Sequence, residues 1–153
     1  MLELPHVAIG LAIASKIPNS LIAIPLALAS HFLIDFIPHW NPSLYSETKK
    51  HGKPSKKSTN IIIIDVILSL ALGFFVVFKI SSNLTMSLTL LFSAFASVVP
   101  DVIEGFYFFL GVKASWLLKL IKFQHDHQAR APLIPGVITQ IIVIIASLLI
   151  IFS

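Results

Sequence analysis

The stretch Ile61–Ile80 reads IIIIDVILSLALGFFVVFKI, and only Asp65 and Lys79 in it are charged. A helix needs about 20 mostly apolar residues to cross the hydrocarbon core of a bilayer. A comparable apolar run ends at Phe152, and the chain of 153 residues is 56% hydrophobic and 12% charged. An ordinary soluble domain has about 25% charged residues. The sequence therefore predicts an all-α integral membrane protein, with 1–153 as a single transmembrane domain.

Prolines and polar residues divide the chain on either side of this stretch. Because the residue before Pro38 is pushed out of helical geometry, the second helix should end near Ile37, and Pro100 should interrupt the fourth. The first hydrophobic segment is short enough to be tilted, re-entrant or half-inserted. We expect about five hydrophobic helices, at 5–15, 20–37, 61–80, 84–99 and 132–152, with a short or kinked helix at 101–110 and an interfacial helix at 116–128.

The basic residues indicate which side of the membrane each segment faces. Five of the ten lysines lie between Lys49 and Lys57, and the segment 112–131 carries three more lysines and Arg130. Cytoplasmic segments are rich in Lys and Arg, which anionic lipids attract. We therefore expect 39–60 to be a Lys-rich cytoplasmic loop of an inner-membrane protein whose partner is the lipid bilayer and not nucleic acid. The oligomeric state stays open.

With this topology, most acidic and histidine residues converge on the cytoplasmic side. Ionisable groups at membrane depth are costly and usually mark a functional site. Several helices bring such residues to one level, so the sequence predicts a single polar site. The candidate members are His6, His31, Asp35, His39, Asp65, Asp101, Glu104, His125 and His127.

The spacing of His31 and Asp35 is the sharpest local signal. Residues four apart share a helix face, so this pair can present an imidazole and a carboxylate to one metal ion. His39 repeats the spacing beyond Pro38. The alternative is a His–Asp hydrogen bond that only stabilises the helix end. Since the chain has no cysteine, a His and carboxylate set suits a divalent transition metal, zinc first, with manganese or iron as alternatives.

The other candidate residues could also have purely structural roles instead of binding a metal. Asp65 should face the bundle, where it either binds metal or forms an ion pair or hydrogen bond to a neighbouring helix. Asp101 follows Pro100 and is also suited to cap a helix. His125 and His127 are two apart, so a regular helix would point only one of them into a site, and a hydrated loop is the alternative for both.

Three stretches and one histidine carry a resemblance to a known family. Ser30–Trp40 reads SHFLIDFIPHW, with His6 in the first segment and Val99-Pro-Asp101 after the fourth. Together with the stretch 123–127, this order of motifs resembles the small prokaryotic membrane proteins known as membrane-bound metal-dependent hydrolases. The resemblance implies a multi-helix membrane protein with His and Asp metal ligands, by analogy with zinc-dependent phospholipases C. By that resemblance the ligand set looks like His6, His31, Asp35, Asp101 and His125.

The chain departs from the family pattern at two places. Family members often have a second acid two residues after the Pro-Asp, where this chain has Ile103. They also often have a His-Arg-Gly-x-Thr-His-Ser box, which here is reduced to His125-Asp126-His127 without Thr or Ser.

The expected function is that of a membrane-bound metal-dependent hydrolase. The site would face the cytoplasm and cleave a phosphoester, such as a phospholipid head group, with Glu104 or Asp126 as the base. A carrier for a metal ion or proton is one alternative, and a non-catalytic structural membrane protein is another. A carrier needs polar residues across the whole bilayer, whereas the outer halves of the last three hydrophobic helices have only Ser, Thr and Lys79. This pattern favours the enzyme.

Overall fold

The computed structural model describes all 153 residues as eight helices without a β-strand, which confirms the all-α prediction. The helices are α1 (Glu3–Lys16), α2 (Ser20–Ile34), α3 (Leu44–His51), α4 (Lys56–Ile80), α5 (Leu84–Ala96), α6 (Val99–Leu110), α7 (Ser115–His127) and α8 (Leu133–Phe152).

The number of membrane-spanning helices is smaller than the sequence predicted. Only α4 and α8 are long and apolar enough to cross a bilayer, and α5 with α6, bent by 49°, adds a third if the pair counts as one span. The expectation of about five is wrong because α1 and α2 have 14 and 15 residues. At about 1.5 Å per residue they extend for about 21 and 23 Å, less than the roughly 30 Å of a hydrocarbon core.

Helix α1 lies at the centre of the bundle and packs against α2, α4, α5 and α8. Its buried side chains are mostly small, and Gly10 approaches the backbone of α5. A Cβ atom on Gly10 would lie 2.7 Å from the carbonyl oxygen of Ser93, so no larger residue fits there. Small residues allow helices in membranes to pack closely. The first segment is therefore a core helix surrounded by its neighbours.

The outer surface of the bundle is apolar. Phe78 on α4 is 86% exposed and Ile134 on α8 is 73% exposed, and many other large apolar side chains of these helices share this exposure. Soluble monomers rarely expose contiguous apolar surface on this scale. The surface is consistent with membrane association.

The stretch 39–60 is not a continuous loop. It contains α3, and α4 begins at Lys56, five residues before the predicted start at Ile61. The physical reason is a set of caps: Glu47 Oε2 accepts a hydrogen bond from the Ser55 N–H at 2.7 Å, and Ser55 in turn caps α4. Gly52, with φ of 77°, ends α3 in the left-handed conformation that glycine adopts readily.

Helix α2 ends at Ile34, three residues before the predicted end at Ile37, and the chain then pairs with the segment that precedes α8. Ala129 N–H donates to the Asp35 carbonyl at 2.8 Å, and His39 N–H donates to the Ala129 carbonyl at 3.0 Å. This pairing holds the backbone of Asp35 and His39 in place. It positions two of the candidate site residues outside a regular helix.

Helix α8 packs against the segment that follows α2. A Cβ on Gly136 would lie 2.7 Å from the Trp40 Cβ, so the segment rests directly on the helix. Gln140, which is buried, donates from Nε2 to the Trp40 carbonyl at 2.9 Å, and its Oε1 accepts from the Leu2 N–H at 3.0 Å. Gln140 thereby joins the start of α1 to the segment after α2.

Candidate metal centre

Three histidine side chains surround the carboxylate of Asp35. The Nε2 atoms of His6 and His39 lie 3.4 and 3.8 Å from Asp35 Oδ1. The Nε2 atom of His31 lies 3.9 Å from Asp35 Oδ2. All three imidazoles are completely buried. The amino group of Met1 also donates to Asp35 Oδ1, at 2.5 Å.

Backbone carbonyls orient two of these rings. Nδ1 of His31 lies 2.8 Å from the Ser97 carbonyl oxygen, and Nδ1 of His39 lies 2.8 Å from the Ile37 carbonyl oxygen. Because a carbonyl oxygen only accepts, Nδ1 carries the proton in both residues and donates it. A neutral ring then has its lone pair on Nε2, which is the arrangement of metal-binding histidines in proteins.

His6 has no hydrogen-bond partner at either nitrogen, although it is completely buried. Its ring stacks on that of His31, with centroids 4.2 Å apart and an interplanar angle of 24°. A buried polar group without a partner costs about 1–3 kcal/mol. A cation at Nε2, beside Asp35, would give this nitrogen a partner.

Asp101, in the first turn of α6, completes the densest group of potential ligands. Its Oδ1 lies 3.7 Å from His31 Nε2, and one ligand atom each from His6, His31 and Asp101 lie within 4.8 Å of one another. Ligands about 2.1 Å from a zinc ion are about 3.4 Å apart in tetrahedral geometry. The group would have to contract by about an ångström to hold such an ion.

Gln124, on α7, is a site residue that the sequence reasoning missed. Its Nε2 donates to Glu104 Oε1 at 2.6 Å, and its Oε1 lies 2.9 Å from His31 Nε2. A cation at His31 Nε2 would take the place of this contact, so the amide oxygen of Gln124 would have to move aside for a metal to bind there. A signal was present in the sequence: the buried stripe of α7 consists of Leu117, Ile121 and Gln124, so a polar residue occupies an apolar position.

Asp65 is a residue of α4, and its side chain lies beside the first turn of α1. Its Oδ2 accepts a hydrogen bond from the Glu3 N–H at 2.5 Å, and its Oδ1 accepts from the Leu4 N–H at 3.2 Å. Both oxygens therefore satisfy backbone donors that the first turn of a helix leaves free. This is the hydrogen bond to a neighbouring helix that the sequence left open as the alternative to metal binding.

Residues 125–127 lie on α7, and they differ in how far they are buried. His125 is half-buried, packs against Tyr45 with the two rings tilted by 41°, and contacts Arg130 through its Nδ1. Asp126 and His127 are exposed, and neither lines the cavity that opens beside Asp35 and Asp101. The helix continues through this stretch, so only His125 faces inward.

Burial affects the titration of the histidines outside the spans. Burial lowers the pKa of His39 below its ordinary value. Burial, followed by the charge of Arg130, also lowers the pKa of His125. Both imidazoles are therefore neutral at pH 7 and available as lone-pair donors.

A polar cavity of about 400 Å³ opens beside the cluster. Ligand sites in proteins commonly have volumes of this size. Its wall combines potential metal ligands with groups that can hold an anion or move a proton: Asp35, His39, Tyr45, Asp101, Glu104, Gln124, His125 and Arg130.

Comparison with known proteins returned no match: no family model, curated protein or solved structure matches the chain.

Proposed function

We propose that this protein is a membrane-bound hydrolase that uses a divalent transition metal to cleave a phosphoester, such as a phospholipid head group. The single observation that carries the proposal is the buried, unpartnered imidazole of His6 next to Asp35, His31 and His39. The family resemblance of the sequence motifs supports the same class of protein.

His6, His31 and Asp101 are the residues best arranged to hold the metal, with Asp35 and His39 adjacent. Without a metal ion, the two carboxylates lie in a buried cluster whose permanent positive charge is the amino group of Met1, which contacts Asp35 and not Asp101. The mixed imidazole and carboxylate set favours zinc, with manganese or iron as alternatives.

A bound divalent ion lowers the pKa of water to near 7 and neutralises charge on a phosphate group. The water oxygen would form the new bond to phosphorus while giving one proton to a carboxylate base, the ester P–O bond would break, and the base would return that proton to the leaving alkoxide. Glu104 faces the cavity and is held by Gln124, so we assign it the role of base that accepts the proton of the attacking water. Asp126, the other candidate base, is exposed on the outer face of α7.

We further propose that the site faces the cytoplasm at the inner membrane. Five lysines between Lys49 and Lys57 and the basic residues of 112–131 support this orientation. Because the chain lacks cysteine, Lys53→Cys and Ser82→Cys variants can be labelled singly in intact cells. Reagent that cannot cross the membrane should label position 82 and not position 53, and the reverse pattern would place the site outside.

Phosphate ester hydrolysis tests the proposed function. The purified protein would be assayed with 4-nitrophenyl phosphate and bis(4-nitrophenyl) phosphate, with zinc or manganese present. We expect hydrolysis of at least one ester, loss of at least about 100-fold in Asp101→Asn, and little change in Asp126→Asn. If neither ester is cleaved, or if both variants retain activity, the polar cluster has the structural role of locking the helices together.

A further inference from the structure

An apolar groove runs along the outside of the bundle between α4 and the bent pair α5–α6. It has a volume of about 620 Å³. On α4 it extends from Thr59 to Phe74, which is about 22 Å at 1.5 Å per residue. One leaflet of a bilayer contributes about 15 Å of hydrocarbon, so the groove is long enough to hold an acyl chain that lies in one leaflet.

The groove continues into the polar cavity of the candidate metal centre. Five residues line both spaces: Glu3, Ile62, Asp101, Gly105 and Phe109. Asp101 is one of the proposed metal ligands. A molecule bound in the groove would therefore have one of its ends beside these ligands. A molecule that fills both spaces must be apolar along most of its length and polar at its end.

The walls of the groove face outward. Ile67 is 59% exposed, and Phe74 and Phe95 are 61% and 57% exposed. Since these side chains belong to helices suited to the bilayer, lipid has direct access to the groove from the side. No other segment of the chain covers it.

Two buried polar atoms of groove residues have no hydrogen-bond partner, Glu3 Oε2 at the junction with the polar cavity and the hydroxyl of Ser69. Ser69 is buried, lines the groove, and its hydroxyl makes no hydrogen bond. It lies four residues, or about one helical turn, beyond Asp65, which is level with the start of α1. An ester carbonyl at the head of an acyl chain is an acceptor to which this hydroxyl can donate.

We infer that the groove binds the acyl chain of a phosphorylated lipid and thereby presents its head group to the metal centre. This inference rests on the proposed function, because Glu3 and Asp101 at the junction would repel an anionic head group unless a cation lies beside them. Arg130 and His125 on the far wall of the cavity complement a phosphate. The preferred substrate is thus an acylated phosphoester, whereas a soluble ester such as 4-nitrophenyl phosphate would reach the proposed metal ligands without using the groove.

Gly73 allows the groove to be filled without disturbing the fold. It lines the groove, and a Cβ placed on it meets no atom within 4 Å. A Gly73→Leu variant therefore occupies the space of the chain. Ala71→Leu is the matched control, because Ala71 is exposed on the same helix and does not line the groove.

The test uses an acylated glycerol 3-phosphate that carries a diazirine at the end of a 16-carbon chain. After illumination, we expect crosslinks to α4 and α5 residues of the groove in the wild type and in Ala71→Leu, and about tenfold fewer in Gly73→Leu. Hydrolysis of the acylated ester should fall in parallel, while that of 4-nitrophenyl phosphate stays unchanged. Crosslinks elsewhere, or equal crosslinking in both variants, would overturn the inference.

The two proposals fail in different ways. Crosslinking in the groove without hydrolysis of any ester would leave a lipid-binding groove and remove the hydrolase. Hydrolysis of 4-nitrophenyl phosphate with no effect of Gly73→Leu on the acylated ester would leave the hydrolase and remove the groove as its lipid site.

Discussion

His6 Nε2 lies 3.4 Å from Asp35 Oδ1, although His6 belongs to α1 and Asp35 follows the end of α2. Two short helices thus bring an imidazole and a carboxylate together in the interior of the bundle. Neither nitrogen of His6 has a hydrogen-bond partner. A buried imidazole without a hydrogen-bond partner lowers the stability of the fold unless a ligand binds to it.

Replacing His6 by Phe separates a ligand role from a packing role. Phe keeps an aromatic ring against His31 and removes two buried nitrogens that lack partners. If His6 binds metal, His6→Phe should lose most of the metal and melt at a lower temperature. A gain in stability of about 1 kcal/mol would show that His6 is only packed there. His127→Phe, on the exposed face of α7, should change neither property.

Asp65 should matter for folding and not for metal binding. Because its carboxylate caps α1, Asp65→Leu should destabilise the protein by about 1–3 kcal/mol. Asp65→Asn keeps one acceptor oxygen, so it should fold and retain the metal content of the wild type. Unfolding in detergent and elemental analysis of the two variants check this. Loss of metal in a folded Asp65→Asn protein would make Asp65 a ligand.

Gln140 should stabilise the segment that carries Asp35 and His39. Gln140→Leu leaves the Leu2 N–H and the Trp40 carbonyl without their side-chain partner, which should cost about 1–3 kcal/mol. Ser147→Ala is the control on the same helix, because the Ser147 hydroxyl donates only to the Val143 carbonyl one turn earlier. Equal melting temperatures of the two variants would contradict the role given to Gln140.

Glu47 should make the junction of α3 and α4 sensitive to acid. Hydrogen bonds from Ser55 and Ser58 lower the pKa of Glu47 below its ordinary value of 4.5. The stabilisation is therefore present above pH 4.5 and is lost as the pH falls through the lowered pKa. Hydrogen exchange of peptides from 43–58, corrected for intrinsic rates, should increase at acid pH. Glu47→Gln should show no such increase, and an identical increase there would exclude Glu47 as its source.

Local rules predicted several parts of this fold. The spacing of His31 and Asp35 places them on one side of the C-terminal end of α2. Pro100 lies in the first turn of α6, where its missing N–H costs nothing, so the chain bends there. These features depend on neighbours within one helical turn, which a single sequence displays directly.

Other parts depend on distant contacts. Hydropathy treats α1 as another apolar segment, and only its short length and its Ala and Gly content distinguish a core helix from a span. The helix α3 forms in a polar stretch, where Glu47 accepts hydrogen bonds from Ser55, the N-cap residue of α4 eight residues away. Gln124 was overlooked because histidines next to it carry the more familiar ligand chemistry, although its place on the buried stripe of α7 marked it.

The metal content of the purified wild-type protein tests the central claim most directly. Elemental analysis should find about one divalent transition metal per chain, most of it zinc, and Asp101→Asn should lose it. Because the ion binds the folded state, a chelator should lower the melting temperature and added zinc should restore it. A wild-type protein with no stoichiometric metal, melting identically with and without chelator, would contradict the account.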